Sequence, residues 1–230
     1  MNPQPSESEL VWEFFGRNPK GFFVEVGAND PCNGSQTWFL EQCGWRGILI
    51  EPLSRLFESL KIARPRSLVF QAACGAPGHP PEAALFVGEN CKHSSLLPNR
   101  VDADTRYVQK ETVRVLTLDE VLAECGDPRV DFVSIDVEGL QLDVLKGFDL
   151  ARHHPALLLV EDHLLNWRTH FHLQRRGYSL VKRTGLNNWY IPAGTPFTLT
   201  SPVERLKLWR KVWPGTPLRM FKARWRKRRL

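Results

Sequence analysis

The chain has 230 residues, of which 42% are hydrophobic and 24% are charged. This is enough for one α/β domain with a substantial core, and too few for two ordinary domains. No run of roughly eighteen apolar residues occurs, which excludes a membrane-spanning helix.

The positive charge lies at one end of the sequence. Residues 201–230 carry eleven Lys or Arg and one acid, Glu204, a net charge of +10, whereas the other 200 residues carry twenty bases and twenty-four acids, a net charge of −4. The basic pI therefore belongs to the C-terminal end, which argues against a nucleic-acid-binding role for the whole protein.

The cysteines and the first residues indicate the compartment. The five cysteines, at positions 32, 43, 74, 91 and 125, are odd in number and show neither CxxC nor metal-finger spacing. This pattern favours a reducing cytoplasm. Residues 1–10 are polar and acidic, without the apolar segment of a secretion signal, so we expect a cytoplasmic protein.

Apolar runs and amphipathic segments alternate along the chain. Predicted strands cover residues 22–28, 47–51, 67–74, 131–137 and 156–160, with a shorter pair at 83–87 and 112–116 and a closing hairpin at 178–183 and 189–191; predicted helices cover 35–43, 53–63, 118–125, 140–148 and 164–176. This order predicts an α/β fold with a doubly wound, mostly parallel sheet and a C-terminal antiparallel hairpin. We divide the chain into an N-terminal segment (1–20), a central domain (21–195) and a basic, Trp-rich tail (196–230).

The first predicted strand ends at a glycine turn, in which Glu25 precedes Gly27, Ala28 and Asn29. A glycine lets the backbone approach a ligand closely, and the Glu25 carboxylate could accept hydrogen bonds from an amine or from water. An ordinary strand-end turn fits equally well. The GxGxxG pattern is absent, which favours a cofactor without phosphates over a dinucleotide.

The second predicted strand ends at an acid, Glu51. A carboxylate at this place can accept hydrogen bonds from both hydroxyls of a ribose. The alternative is an exposed loop carboxylate. The glycine turn and Glu51 together favour a nucleotide-type cofactor across the two strand ends.

More acids follow the later strands. Asp136 and Glu138 lie at the end of the fourth parallel strand and would point the same way if the chain stayed extended. Glu161, Asp162 and His163 follow the fifth. Such groups could act as a general base, or with Asp136 hold a divalent metal, although the sequence does not establish a metal. Helix capping by Asp136 or Glu138, and surface polarity at 161–163, are the alternatives.

The motifs carry a resemblance to one family. The stretches FVEVGAND (23–30), SQT (35–37), GWRGILIEP (44–52), TLD (117–119), DFVSIDVEG (131–139) and DVLKG (143–147) resemble the FkbM-type S-adenosylmethionine-dependent methyltransferases over about residues 20–192. The resemblance implies a Rossmann-like fold of the class I methyltransferase type. Pro31, where many relatives have glycine, and Gln141, in place of a frequent acid, depart from the family pattern.

The resemblance also implies site residues. It assigns cofactor binding to Glu25, Gly27, Ala28, Asn29, Glu51, Ala72, Ala73 and Asp136, with Glu25 and Gly27 at the methionine end, Glu51 at the ribose and the two alanines near the adenine. Asp136 and Glu138 would face the reacting methyl group and the acceptor. We expect the base among these two acids first, and then Glu161 and His163.

The expected function is methyl transfer from S-adenosylmethionine to a hydroxyl of a sugar, glycan or natural product. A nicotinamide-dependent oxidoreductase, an RNA methyltransferase and a non-catalytic cofactor-binding protein of the same fold are the alternatives. Within the tail, residues 203–230 interleave tryptophans and aliphatic residues with Lys and Arg. This pattern favours peripheral contact with an anionic membrane at its inner face, over a solvated tail or a nucleic-acid arm.

Overall fold

The computed structural model describes residues 5–89, 94–96, 106–162 and 167–227, with the backbone alone at 223, 224, 226 and 227. The strands are β1 Phe22–Val26, β2 Arg46–Ile50, β3 Ser67–Phe70, β4 Ala73–Cys74, β5 Glu82–Gly88, β6 Tyr107–Leu116, β7 Phe132–Ile135, β8 Leu157–Glu161, β9 Tyr178–Thr184 and β10 Asn187–Pro192. The helices are α1 Glu7–Phe14, α2 Trp38–Gln42, α3 Ser54–Ala63, α4 Leu118–Glu124, α5 Gln141–Lys146, α6 Leu150–His153, α7 Arg168–Arg175, α8 Pro202–Val212 and α9 Gly215–Lys227.

Seven strands form the main sheet, in the order β3-β2-β1-β7-β8-β10-β9. β1 pairs in parallel with β2 on one side and with β7 on the other, whereas β10 runs antiparallel between β8 and β9. The predicted Rossmann-like α/β fold with its C-terminal hairpin is therefore confirmed. The strand order reverses between β1 and β7, and the crevice at such a point is where sheets of this kind bind ligands.

The central strands are apolar because both faces of the sheet are covered. Successive side chains alternate, so that Val24 and Val26 enter the core on one face while Phe23 enters the core on the other. In β2, the Ile48 side chain likewise packs on the same face as Val24, and the Leu49 side chain packs on the same face as Phe23. Glu25 lies on the same side of β1 as Phe23, which places a buried carboxylate on that face of the sheet.

The prediction of one strand over 67–74 is wrong. β3 ends at Phe70, and residues Ala73 and Cys74 pair in parallel with β6 in a second sheet of order β4-β6-β5. The chain leaves the main sheet at the exposed, polar Gln71, and buried Ala72 follows. The predicted pairing of 83–87 with 112–116 is confirmed as the antiparallel β5–β6 ladder. This sheet forms one wall of the site described below.

Helix α1 packs on the body of the protein. Ser6 begins it with a capping box to Glu9, and Val11 is fully buried in the core. The Glu7 carboxylate accepts hydrogen bonds from the Asn187 amide (2.6 Å) and the Trp189 indole (3.3 Å), which attaches α1 to the hairpin β9–β10.

The tail forms α8 and α9. Ser201 begins α8 with a capping box to Glu204, and residues 213 and 214 separate α8 from α9. Among the helices of the described ranges, none is both long and apolar enough to cross a membrane.

Candidate active site

One cavity of about 340 Å³ opens at the carboxyl ends of β1, β2, β7 and β8. All of the predicted cofactor residues line it: Glu25, Gly27, Ala28, Asn29, Glu51, Ala72, Ala73 and Asp136. The predicted catalytic acids Glu138 and Glu161 line the same cavity, whereas His163 lies outside the described residues. The fold thus brings together groups that are up to 136 positions apart, and their individual roles remain predictions.

Gly27 makes the close approach of β1 and β7 possible. Its φ is +80°, and a Cβ built on it would lie 1.9 Å from the Asp136 backbone oxygen. The Gly27 and Ala28 amides both donate to the Ile50 carbonyl, at 2.9 and 3.1 Å. An L side chain at position 27 would therefore clash with the backbone and adopt a strained conformation.

Glu51 is held with its carboxylate at the cavity wall. One oxygen accepts from the Asn29 amide and the other from the Leu53 amide, both at 2.9 Å, and the side chain is 5% exposed. Each carboxylate oxygen has a second acceptor position, so that two ribose hydroxyls can still be bound. Burial raises the pKa of Glu51 to about 7, against the lowering effect of the two amides.

Glu25 anchors the segment that follows the glycine turn. Its carboxylate accepts hydrogen bonds from the Thr37 hydroxyl (2.5 Å), the Gln36 amide (2.8 Å) and the Ser35 hydroxyl (2.9 Å). Burial raises its pKa above the ordinary value, although these bonds and Arg64 favour the ionised form. Because Ser35 to Thr37 are held in this way, α2 begins at Trp38 and not at the predicted residue 35.

Sequence reasoning missed the cation behind this segment. Arg64 is fully buried and donates to Glu41 (2.6 Å), the Thr37 hydroxyl (3.0 Å), the Pro31 carbonyl (3.0 Å) and the Ser35 hydroxyl (3.2 Å). Its position four residues after the buried Leu60 of α3 is the sequence feature that could have placed it on the inner face of that helix.

The loop at Pro31 keeps a defined shape despite the departure from the family pattern. The Asp30 carboxylate accepts from the Cys32 and Asn33 amides, at 2.9 and 2.7 Å, which closes a turn of the Asx type. Asn33 and Gly34 of this loop line the cavity.

One part of the cavity lining is an apolar wall. It consists of Ala72 and Ala73, which are almost fully buried, with Leu56 from α3 and Leu85 from β5. Small side chains beside two leucines suit a flat aromatic ring, which is consistent with the adenine end that the family resemblance implies there. Leu85 was not anticipated, because no sequence pattern shows that β5 reaches this cavity.

The cavity acids that follow β7 and β8 are more accessible than Glu25 and Glu51. Asp136 is exposed, and Glu138 and Glu161 are partly exposed. β7 ends at Ile135 and the chain turns through Gly139 (φ +80°), so the extended alternation considered for Asp136 and Glu138 does not apply. The N-cap of α5 is Leu140, not one of the two acids. Both acids still line the cavity.

A short segment, Ser94 to Leu96, also lines the cavity. Ser95 forms an antiparallel bridge with Phe86 of β5, and its hydroxyl donates to the Glu138 carbonyl at 3.4 Å. This contact joins the small sheet to the turn that carries the acids. His93, which precedes this segment, lies outside the described residues.

A metal centre is not formed by the side chains that the structure describes: within the described ranges, no group of three or more His, Cys, Asp or Glu could hold a metal ion. His163, the histidine considered for such a site, is outside those ranges. The described cysteines, 32, 43, 74 and 125, are free thiols.

Comparison with known families identifies the fold. The family model described as "Methyltransferase FkbM domain" matches residues 25–180, about two thirds of the chain. The chain belongs to the FkbM methyltransferase family. The protein is thus an S-adenosylmethionine-dependent methyltransferase, as the motifs implied, and this family favours neither the nicotinamide-dependent oxidoreductase nor the non-catalytic alternative. Gly27, Glu51 and the apolar wall are residues that fit this cofactor.

Several solved structures are similar to this chain at low sequence identity. The N-terminal domain of human METTL16 in complex with SAH is 11% identical, with a TM-score of 0.45 over 85% of this chain and 73% of that chain. A methyltransferase from Geobacter sulfurreducens is 13% identical (TM-score 0.42; 85% and 92% covered), and a protein of the NADB-Rossmann superfamily from Streptococcus agalactiae is 14% identical (TM-score 0.44; 86% and 73% covered). A search of curated proteins found no significant match.

Proposed function

We propose that this methyltransferase acts in the cytoplasm and transfers the methyl group to a hydroxyl oxygen of a sugar, glycan or natural product. One observation supports the proposal: the predicted cofactor residues, such as Gly27 and Glu51, line the same cavity as the three acids Asp136, Glu138 and Glu161. A hydroxyl is a weak nucleophile, so a carboxylate within reach of its proton assists the reaction.

When bound, S-adenosylmethionine supplies an electrophilic methyl group on a sulfonium. In the proposed reaction Glu51 holds the ribose and the Gly27 turn lets the backbone approach the methionine end. The acceptor oxygen then forms the new C–O bond in line with the breaking C–S bond, whose electrons remain on sulfur. Its proton passes to Asp136 or Glu138, the first choices for the base. Orientation of the two reactants supplies a large part of the rate.

RNA is the second candidate acceptor, and the charge of the site argues against it. Five carboxyl groups line the cavity, and those of Asp136, Glu138 and Glu161 are at least partly exposed; the first 200 residues carry a net charge of −4. A phosphate backbone approaching this cavity would meet like charge, whereas a neutral sugar hydroxyl would not. The basic residues of the tail are the feature that keeps RNA as an alternative.

The test is transfer of a labelled methyl group from S-adenosylmethionine into glycan, lipid, RNA and protein fractions of the source cells. We expect label in a glycan- or lipid-linked fraction, as a methyl ether that survives mild base. Label released as methanol by mild base would indicate a methyl ester, and label that is sensitive to ribonuclease would indicate RNA. Either result would contradict the proposal. The Glu51→Gln variant serves as the control for background labelling.

A further inference from the structure

The two tail helices expose large apolar side chains to solvent. Of α8, Val203, Leu206 and Trp209 are 62%, 59% and 56% exposed. Their spacing of three residues places them on one face of the helix, about 120° wide. Val212, about 120° from the middle of this face, is buried against the body, and Trp209 lines a cavity with Phe197. Val203 and Leu206 are therefore directed away from the body, and Trp209 lies at the border of the stripe.

Helix α9 repeats this arrangement with larger groups. Leu218, Phe221 and Trp225 are 62%, 70% and 48% exposed, and they lie within an arc of about 60°. Lys222 follows Phe221 at the border of this stripe and is exposed too. Isolated exposed apolar residues are ordinary, but stripes of large exposed apolar side chains on two consecutive helices are a feature that soluble proteins usually cover.

The charge of the tail indicates which kind of partner covers the apolar side chains of α8 and α9. Residues 201–230 carry a net charge of +10, against −4 for the rest of the chain. A groove of about 360 Å³ between α8 and β9 is lined by four bases, Lys182, Arg183, Lys207 and Lys211, and by one acid, Glu204, which pairs with Lys182. Within the described part of the chain, neither Lys207 nor Lys211 forms an ion pair. Burial lowers the pKa of Lys211, and Arg183 and Arg219 lower it further, so this region would gain from a nearby anion.

We propose that α8 and α9 bind the surface of an anionic phospholipid bilayer, with the two apolar stripes in the headgroup region and the bases at the lipid phosphates. Helices that combine an apolar face, tryptophan and flanking Lys or Arg lie in this interface. The centre of a protein–protein interface is depleted of lysine, and an RNA surface makes no use of Val203, Leu206 or Leu218. Bilayer binding is the one arrangement that uses both the apolar and the basic groups.

The test is flotation of the full chain with phosphatidylcholine vesicles, with and without added phosphatidylglycerol. We expect binding to the anionic vesicles only, and weaker binding as the ionic strength is raised. Each base near such a surface contributes about fivefold, so the double variant Lys207→Gln and Lys222→Gln should lose roughly 25-fold in partitioning. The double variant Leu206→Ser and Phe221→Ser should lose more than about tenfold.

Matched controls lie outside the tail. Ile62→Ser removes an apolar side chain that is 82% exposed on α3, and Lys20→Gln removes an exposed base; both should bind vesicles like the unmodified protein. Circular dichroism of every variant checks that the fold is kept. Absence of binding to anionic vesicles, equal loss in the controls, or binding to RNA oligonucleotides in place of vesicles would overturn the proposal. Vesicle binding requires no methyl acceptor, so its failure leaves the proposed reaction untouched.

Discussion

The two sides of the cavity are built differently. On the cofactor side, Glu25 and Glu51 are 4% and 5% exposed, and each carboxylate accepts hydrogen bonds from backbone amides. On the acceptor side, Asp136 is exposed and Glu161 is partly exposed. A buried wall whose carboxylates are held by backbone amides would fix the position of one cofactor, whereas an accessible edge would admit a larger acceptor. Variants on the two sides should therefore affect different measurements.

The largest effect is expected on the acceptor side. Asp136→Asn should lower kcat by about 10²–10⁴-fold, because a general base contributes about that much, and should weaken cofactor binding far less, because the other predicted cofactor residues remain. Single-turnover methyl transfer and calorimetric titration with S-adenosylmethionine measure the two quantities. Asp143→Asn, an exposed acid of α5 paired with Lys146, is the matched control. Full activity of Asp136→Asn would remove Asp136 from the reaction.

The next largest effect concerns the network behind the cofactor wall. Arg64→Met leaves the buried Glu41 without its ion-pair partner, which should lower the free energy of unfolding by about 3–5 kcal/mol. Adding Glu41→Leu should restore much of the stability, since an apolar pair of similar volume replaces the ions. Cofactor affinity should be low in both the single and the double variant, because the Ser35 hydroxyl and the Pro31 carbonyl have lost their hydrogen bonds to Arg64. Urea unfolding and titration separate the two effects, and a single variant as stable as the natural protein would refute the argument.

A smaller effect is expected at the glycine turn. Gly27→Ala combines a left-handed φ with a clash against the Asp136 backbone, and should lower the free energy of unfolding by about 2–4 kcal/mol and weaken cofactor binding. Gly78→Ala is the control, because Gly78 has nearly the same φ, +79°, with no atom within 4 Å of its Cβ position. It should show the cost of strain alone, about 1–2 kcal/mol, and unchanged cofactor affinity. Equal losses in the two variants would mean that the close approach of β1 and β7 has no special importance.

The smallest effect is a pH dependence of cofactor binding. The pKa of Glu51 is raised to about 7, and ribose hydroxyls that donate to its carboxylate would favour the ionised form. Binding below pH 7 then requires loss of a proton, so affinity should fall by up to about tenfold per pH unit as the pH decreases, and should be level above pH 7. Titrations from acid to neutral pH in two buffers of different ionisation enthalpy would also detect the released proton. Glu51→Gln should bind weakly and without this pH dependence; the same profile in both proteins would exclude Glu51 as its source.

Many features followed from local sequence. The apolar runs ending in Gly27 and Glu51 predicted the parallel strands and the side of the sheet that carries the site, because strand ends of one direction meet at one edge. The capping box at Ser201 and the helical spacing of Leu206 and Trp209 likewise belong to single segments. Such features depend on residues close in the chain, and so a pattern can show them.

Tertiary structure decided the rest, because the contacts join distant residues. Arg64 is a buried anchor only because α3 packs beside Glu41 and Thr37, and Leu85 lines the cavity only because the second sheet folds against it. The raised pKa of Glu51 is caused by burial that the surrounding elements create. By itself, the sequence determined the family, the alternation of strands and helices in the central domain and the residue types at the strand ends. Only packing determined which of those residues are fixed, which are accessible and how their charges are stabilised, since burial is a property of the whole fold.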